Sequence, residues 1–334
     1  MVTVGGATRI GQAMRRLPLV LLAIVGLNGL AGAQQQALTP VRFIPHWIPQ
    51  AQFAGYYVAL EKGFYREAGL DVTILRGGPQ SPALTLLEKG EAEFGTSFMS
   101  SALVKRDQGA PLVNIAQMGQ RSALLLVARA SSGIKAARDL DGRKVGVWQD
   151  FRAQPIAFFK KSSVKPEVIP QGSTINMFLR GAIDAISAMS YNEYHLLLNA
   201  GLDPEDLTVF SYDQSGLNFP EDGLYCTKDT LDRQRPVCER FVKATVEGWQ
   251  YAFDHPGEAM KIIMQAADEA HTGTNFAHQR WMLEKMADLM RPREGHPMGW
   301  MSPADYWTAA YELTEQGVIR LAPSLEDFHA PCYP

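Results

Sequence analysis

Cysteine is scarce in this sequence. The 334 residues include three cysteines, Cys226, Cys238 and Cys332, and their spacing fits no metal-binding motif. An exported protein with an odd number of cysteines can form one disulfide and keep one free thiol, so the pairing stays open. The default expectation for all three is a structural or incidental role.

Long hydrophobic runs are scarce as well. The one that occurs, Leu17–Leu30, is interrupted by two glycines and an asparagine and is shorter than the roughly 20 residues that a membrane-spanning helix needs. Three arginines precede it and Ala31–Ala33 follows it, which is the pattern of a secretory signal peptide. We predict a signal peptide over residues 1–33; an uncleaved membrane anchor is the alternative. Residues 1–40 contain no cysteine that could be lipid-modified, so we expect a soluble protein outside the cytoplasmic membrane.

The sequence has no excess of basic residues. Its formal net charge is −3 at pH 7, and signal cleavage would remove three arginines and no acidic residue. A mildly acidic surface without basic runs argues against nucleic acid or anionic lipid as a partner.

Catalytic motifs are missing too. The sequence contains no G-x-S-x-G elbow, phosphate-binding loop or H-E-x-x-H motif, and its seven histidines are scattered. His46, beside Trp47, is more typical of a polar rim residue than of a catalytic base. We therefore expect no enzyme, no metal and no cofactor.

What is present is the composition of a soluble globular protein, with 46% hydrophobic and 20% charged residues. Short apolar runs alternate with helical patterns after residue 40, which predicts an α/β fold with mostly parallel sheets. The alternation breaks near residues 119–130 and again near 207–226, which indicates two crossings between two lobes. Residues 34–125 and 222–334 would form a discontinuous first lobe, with helices dominating from Val237 onward, and residues 126–221 would form the second.

Several candidate binding residues follow predicted strands, at the edge where α/β proteins bind ligands. The stretch "HWIPQAQFAGYY" combines aromatic rings with the amides of Gln50 and Gln52, a composition that suits a flat, polar small molecule. Of its two adjacent tyrosines, we expect one to pack into the sheet and the other, Tyr57, to reach the cleft. The residues predicted to clamp an aromatic ring are Trp47, Trp148 and Tyr191.

Polar candidates lie beside these rings. Asn192 and Glu193 begin a predicted helix, where the carboxylate either accepts hydrogen bonds from amino groups or only complements the helix dipole. Ser97 and Ser100 lie around another helix start, which suits a carboxylate, phosphate or formyl oxygen, with ordinary N-capping as the alternative. Asp222, next to Glu221, lies at the second crossing and is either a ligand contact or a solvated turn residue.

Four segments resemble a known family. "FIPHWIPQAQFAGYYVALEKGFYREAGLDVTI", "LLEKGEAEFGTS", "DLDGRKVGVW" and "AIDAISAMSYNEYHLLLNAG" are similar to the periplasmic substrate-binding proteins grouped with the fungal thiamine-pyrimidine synthase, with aliphatic-sulfonate-binding proteins as a more distant branch. The resemblance implies a type II periplasmic-binding fold serving an ABC importer, with a permease and an ATPase in the inner membrane as partners. It implies a monomer that binds a thiamine pyrimidine precursor of the formylaminopyrimidine or hydroxymethylpyrimidine type. Riboflavin or an aliphatic sulfonate is the alternative ligand.

The same resemblance raises an enzymatic alternative, the pyrimidine synthase itself. The lysine and the donor histidine of that enzyme fall on Ser97 and Ser101 of this sequence, and of its cysteine cluster only Cys226 remains. Serine can neither form a Schiff base nor donate an imidazole, so the sequence disfavours this activity.

The predicted signal peptide can be tested directly. We expect the mature chain to begin near Gln34 and to appear in an osmotic-shock fraction, since the apolar run is too short to stay as an anchor. N-terminal sequencing of the released protein measures the cleavage site. Recovery of the full-length chain from washed membranes would contradict the prediction.

Overall fold

The structure is a computed structural model that describes residues 37–333, so the predicted signal peptide lies outside the described residues. Within this range the chain forms ten strands: β1 (Thr39–Ile44), β2 (Leu70–Ile74), β3 (Phe94–Ser97), β4 (Leu112–Gln117), β5 (Leu124–Arg129), β6 (Lys144–Val147), β7 (Glu167–Pro170), β8 (Ala185–Met189), β9 (Leu207–Ser211) and β10 (Gly223–Thr227).

Helices connect and cover these strands. The α-helices of the described range are α1 (Ala54–Glu61), α2 (Phe64–Glu67), α3 (Ala83–Glu88), α4 (Met99–Asp107), α5 (Ala153–Lys161), α6 (Asn176–Leu179), α7 (Glu193–Asn199), α8 (Lys228–Asp254), α9 (Pro256–Glu269), α10 (Phe276–Leu289), α11 (Pro303–Glu315) and α12 (Leu325–Phe328). Short 3-10 turns supplement them, among them Ala51–Phe53 just before α1. No helix among residues 37–333 combines the length and the apolar character that crossing a membrane requires.

The strands form two five-stranded sheets, which confirms the predicted α/β class. The first has the order β2-β1-β3-β10-β4 and the second the order β7-β6-β8-β5-β9. In the first, β1 is parallel to β2 and β3, whereas β10 is antiparallel to β3 and β4. In the second, β6 is parallel to β7 and β8, whereas β5 is antiparallel to β8 and β9. The sheets are therefore more mixed than predicted, because β5 and β10 each enter their sheet from a crossing.

The chain passes between the sheets twice, at residues 118–123 and 212–222, and hydrogen bonds join the two passages. Glu221 Oε1 accepts from the Ala123 amide at 2.8 Å and from the Ser122 hydroxyl at 3.1 Å. Asn218 accepts from the Ser122 amide at 2.7 Å and donates to the Gln120 carbonyl at 3.0 Å. The division into lobes at residues 125/126 and 221/222 stays a prediction.

Helix α8 begins earlier than the sequence indicated. Helical pattern was expected from Val237, but α8 starts at Lys228, where the Thr227 hydroxyl caps it by accepting from the Thr230 amide. It continues past Pro236 because the chain kinks at Gln234, whose φ and ψ are −130° and 29°. The kink gives the proline ring room beside the preceding turn. Downstream, Pro256 and Pro303 open α9 and α11 as expected.

The core of the first sheet depends on a close crossing of α1 and α8. A Cβ added to Gly55 would lie 2.3 Å from the Trp249 ring, and one added to Gly248 would lie 2.2 Å from the Gly55 carbonyl oxygen. Trp249 is fully buried and meets the Tyr56 ring edge-on, and Tyr56 stacks on Phe43 with ring centroids 4.4 Å apart. The two glycines therefore set how near the helices approach. The three cysteines are also buried in this core, with free thiols.

This crossing gives a stability prediction. Gly55→Ala is expected to lower the free energy of unfolding by about 1–3 kcal/mol, since the new methyl group overlaps a fully packed indole. Gly257→Ala is the matched control, because Gly257 is exposed in α9 with no neighbouring atom within 4 Å, and alanine there should be neutral or slightly stabilising. Urea denaturation of both variants measures the difference. Equal stabilities would show that the crossing can relax.

Candidate ligand-binding cleft

A cavity of about 370 Å³ opens where strands of both sheets end. Its walls come from the residues just after β1, β6 and β8, and it also includes Phe98 and Phe151. Seven of the sequence-predicted residues line it: Trp47, Gln50, Gln52, Trp148, Tyr191, Asn192 and Glu193. These side chains were expected to lie together because the carboxyl ends of parallel strands meet at one edge of a sheet.

Aromatic rings form the apolar part of the cavity. Trp148 is fixed in place because its indole N–H donates to the Gly172 carbonyl at 2.9 Å. Its ring meets Phe151 edge-on at 6.3 Å between centroids, and Phe151 lies 4.5 Å from Phe98. Tyr191 is buried, and burial raises the pKa of its hydroxyl, so it stays a neutral hydrogen-bonding group. Fixed rings of this kind offer flat faces to a planar ligand.

A chain of buried amides forms the polar floor. Gln50 Nε2 donates to Gln52 Oε1 at 2.6 Å, and Gln52 Nε2 donates to the two carboxylate oxygens of Asp222 at 3.0 and 3.2 Å. His46 Nε2 lies 3.6 Å from the same carboxylate, and its Nδ1 lies 2.9 Å from the Thr96 hydroxyl. Asp222 thus lies behind Gln52 rather than in the cavity wall, with a left-handed backbone at φ 54°.

Burial sets the charges beneath the cavity. It lowers the pKa of His46 to about 3, so this imidazole is neutral at physiological pH. Burial raises the pKa of Asp222 to about 7, against the stabilising hydrogen bond from Gln52. Burial, with the Asp222 charge next to it, raises the pKa of Glu221 to about 8. The two neighbouring carboxyl groups therefore carry less than two full charges near neutral pH.

Glu193 presents a buried carboxyl group at the cavity wall. Its Oε2 accepts from the Met189 amide at 3.0 Å, and its Oε1 accepts from the Asn192 side-chain amide at 2.8 Å. Burial raises the pKa of Glu193, while these hydrogen bonds oppose the shift. The carboxylate therefore both closes the turn before α7 and faces the cavity, where a ligand N–H is the chemically complementary group.

The serines at the start of α4 lie elsewhere. Ser97 and Ser100 line a second cavity of about 550 Å³, which shares Trp47, Phe98 and Phe151 with the first. Neither serine lines the 370 Å³ cavity. The two cavities are neighbours, since Trp47, Phe98 and Phe151 line both of them.

Tyr57 lines neither cavity. It is half-buried and packs against the hydrophobic core, and burial raises its pKa to about 12. Its neighbour Tyr56 is the tyrosine that stacks on the sheet, as expected for one of the two. Consecutive residues on a helix point about 100° apart, which turns Tyr57 along the core instead of toward the cleft.

Some cavity residues were missed by the sequence analysis. Phe151 and Gln171–Ser173 also line the 370 Å³ cavity. Gln171 directly follows β7, so the strand-end argument that found Trp148 would have found it as well. Phe151 lies in a 3-10 turn after β6, and no sequence pattern distinguishes that turn.

Comparison with known proteins identifies the class. The fold resembles that of the periplasmic aliphatic sulphonate binding protein SsuA from Escherichia coli, with a TM-score of 0.67 over 86% of this chain and 91% of that one at 15% identity. The architecture is thus that of a periplasmic binding protein. Residues 50–259 match the family described as NMT1/THI5 like, and the chain belongs to this family. The predicted resemblance is confirmed.

Proteins similar to this sequence include binding proteins named for two different ligands and a synthase. The formylaminopyrimidine-binding protein of Halalkalibacterium halodurans is 23% identical over 91% of this chain and 94% of its own length. The riboflavin-binding protein RibY of Chloroflexus aurantiacus is 25% identical over 75% and 73%. A 4-amino-5-hydroxymethyl-2-methylpyrimidine phosphate synthase of Legionella pneumophila is 25% identical over 70% and 75%.

The buried carboxyl groups generate a pH prediction. Because the folded pKa of Asp222 is raised, its protonated form favours folding, and that stability is lost as pH rises from about 4 through about 7. Asp222→Asn keeps the size, tolerates the left-handed backbone and removes the charge. We expect the variant to be more stable than the wild type by on the order of 1–2 kcal/mol at pH 8, and to match it near pH 4.

Chemical denaturation at the two pH values measures this difference. If Asp222→Asn lowered the free energy of unfolding equally at both pH values, the prediction would be contradicted. That result would mean that the hydrogen bonds between Asp222 and Gln52 stabilise the protein more than the buried charge of Asp222 destabilises it.

Proposed function

We propose that this protein is the substrate-binding component of an ABC importer and holds a planar nitrogen heterocycle, a thiamine pyrimidine precursor of the formylaminopyrimidine or hydroxymethylpyrimidine type. The observation that carries the proposal is the joint lining of one cavity by Trp47, Trp148 and Tyr191 with the carboxyl group of Glu193. Rings can stack on a pyrimidine, and a carboxylate can accept hydrogen bonds from its amino group. The similarity to the formylaminopyrimidine-binding protein supports the same ligand class.

The charge of the cavity lining separates this ligand from a sulfonate. The volume of about 370 Å³ lies within the roughly 300–1,000 Å³ of ligand pockets and has room for a single-ring compound. Among residues 37–333, those that line this cavity include no lysine or arginine, whereas they include Glu193 and Asp150. A sulfonate anion would meet acidic groups there, so an aliphatic sulfonate fits less well.

The synthase activity of some relatives fits this chain poorly. The positions that correspond to the lysine and the donor histidine are Ser97 and Ser101, which line the neighbouring cavity. A serine hydroxyl replaces neither the amine of that lysine nor the imidazole of that histidine. A bound pyridoxal phosphate would show its imine absorbance, which gives a direct test of this alternative. We propose binding without catalysis.

Transport follows from the same proposal. The protein would act outside the cytoplasmic membrane as a monomer and deliver its ligand to a permease driven by an ATPase. Residues 34–125 with 222–334 would form one lobe and residues 126–221 the other, and the lobes would close over the ligand about the two crossings. The hydrogen-bonded passages at residues 118–123 and 212–222 support a hinge of few residues.

Loss of an aromatic wall tests the site. Trp47→Ala is expected to weaken the binding of formylaminopyrimidine roughly ten- to hundredfold, or about 1–3 kcal/mol, because stacking and apolar contact are removed. Trp307→Ala is the matched control, since Trp307 is 48% exposed on α11 and lines neither cavity of the cleft. Isothermal titration calorimetry measures both. Riboflavin and taurine titrated in parallel identify the ligand class if formylaminopyrimidine does not bind.

A second variant tests the carboxylate of Glu193. Glu193→Gln keeps the size and removes the charge, so we expect a large loss of affinity for an aminopyrimidine and a small loss for an analogue without the amino group. Calorimetric titration of the wild type and the variant with both ligands gives the comparison. Equal losses for the two ligands would mean that Glu193 only stabilises the start of α7.

A further inference from the structure

A pair of histidines joins the two sides of the cleft at its edge. His195 lies on α7, which follows β8 of the second sheet, and His278 lies on α10. Their Nδ1 atoms are 2.8 Å apart, and the rings are within 16° of parallel. Trp281 of α10 stacks on His195 with centroids 4.7 Å apart and donates its indole N–H to the Ser190 carbonyl.

Helix α10 is at the same time fixed to the first-sheet side. Gln279 Oε1 accepts from the Ala51 amide at 2.6 Å, in the turn that precedes α1. Gln279 and His278 are adjacent, and both are buried. One turn of α10 thus contacts the first-sheet side through Gln279 and the second-sheet side through its neighbour.

The histidine pair also connects to the cavity. His278 Nε2 lies 2.9 Å from Asn192 Oδ1, and Asn192 Nδ2 donates to Glu193 Oε1 at 2.8 Å. The Asn192 amide must point its NH₂ group at the carboxylate, so its oxygen faces His278 and the His278 proton lies on Nε2. His278 Nδ1 is then the acceptor and His195 Nδ1 the donor, so the Asn199 side-chain nitrogen, 3.4 Å from His195 Nδ1, makes no hydrogen bond to it. The hydrogen bonds form one directed chain from the edge of the cleft to the ligand-facing carboxylate.

We propose that His278 is a positioning residue of the cavity, which holds Asn192 and, through it, Glu193. The contact between His195 and His278 is in addition a pH-sensitive latch between α7 and α10. This latch opens when both rings are protonated. The hydrogen bond between the two Nδ1 atoms needs one hydrogen between them. A neutral pair and a singly protonated pair of histidines can both supply it. In the doubly protonated pair two N–H groups and two positive charges face each other. The effect on affinity rests on the proposed function; the latch itself does not.

The direction of the pH effect follows from burial. Burial lowers the pKa of His195, and burial together with the His195 charge lowers the pKa of His278. Groups whose pKa is lowered in the contact stabilise it above the ordinary histidine value of about 6.5, and that stability is lost as pH falls below this value.

Other ionisable groups surround the pair. On the α7 side they are Glu193, whose pKa burial raises, and Tyr191 and Tyr194, which burial keeps neutral. On the α10 side they are Lys285, whose Nζ lies 4.6 Å from the Trp281 ring centroid, and the exposed pair Arg280 and Glu284 at 3.6 Å. Protonation of Glu193 would weaken ligand binding at low pH independently, so a test must separate the two groups.

A ligand-free experiment tests the latch and the positioning role. Nuclear magnetic resonance of ¹⁵N-labelled protein from pH 8 to 4.5 should show His195 and His278 protonating in two coupled steps below about 6.5. The Asn192 side-chain amide signals should shift with the same midpoints. In His195→Phe, which keeps a ring against Trp281, His278 should protonate in one step at higher pH. Independent single steps in the wild type, or Asn192 signals that ignore the pair, would overturn the proposal.

Calorimetry with formylaminopyrimidine at pH 7.5 and 5.0 adds the effect on affinity. The wild type should bind about tenfold more weakly at pH 5.0, and His195→Phe should lose most of that dependence. His278→Gln, which retains an N–H donor for Asn192, should bind within a few-fold of the wild type at pH 7.5, whereas His278→Ala should bind about tenfold more weakly. The exposed His271→Gln is the control and should follow the wild type.

The outcomes separate the two proposals. An unchanged pH dependence in His195→Phe would overturn the latch and assign the dependence to Glu193. If formylaminopyrimidine binds no variant at either pH, the ligand assignment fails, and the resonance titration still decides whether the histidine pair and Asn192 act together.

Discussion

The hydrogen bonds between the two crossings are the constraint on which the cleft depends. Asn218 and Glu221 in the second passage form hydrogen bonds with residues 120–123 in the first. The two passages between the sheets therefore lie side by side. This contact fixes where β5 enters the second sheet and where β10 enters the first. Asp222 follows Glu221 directly and accepts hydrogen bonds from Gln52, which lines the cavity, so the second crossing supports the floor of the cleft.

The electrostatics of the cleft follow from burial rather than from ion pairs. A neutral His46 and two carboxyl groups with raised pKa values lie beneath a cavity whose described lining lacks cationic side chains. Such a site favours a ligand that donates hydrogen bonds over one that carries negative charge.

Sequence reasoning located most of the fold because strands and helices alternate and because prolines and glycines mark their ends. Trp47, Trp148 and Tyr191 were predicted to lie together because each follows a strand, and all three line one cavity. Tyr57 was expected to reach the cleft but packs against the core. Adjacent residues differ in their direction around the helix axis, and a tertiary contact decides which of them faces the cleft. His195 and His278 are 83 positions apart, and their contact depends on how α10 folds back over α7. No local pattern carries that information.

The position of β10 has a consequence for how the chain acquires its structure. This strand lies between β3 and β4, inside the first sheet, although about a hundred residues and the whole second sheet separate it from β4 along the chain. During synthesis or translocation from the N-terminus, β3 and β4 must therefore wait with open edges until residue 227 has emerged. Pairings of such long sequence separation slow folding and expose strand edges to association. The strands of the second sheet, β5 to β9, follow one another along the chain. This sheet can therefore form first, and the first sheet can then complete its pairing beside it.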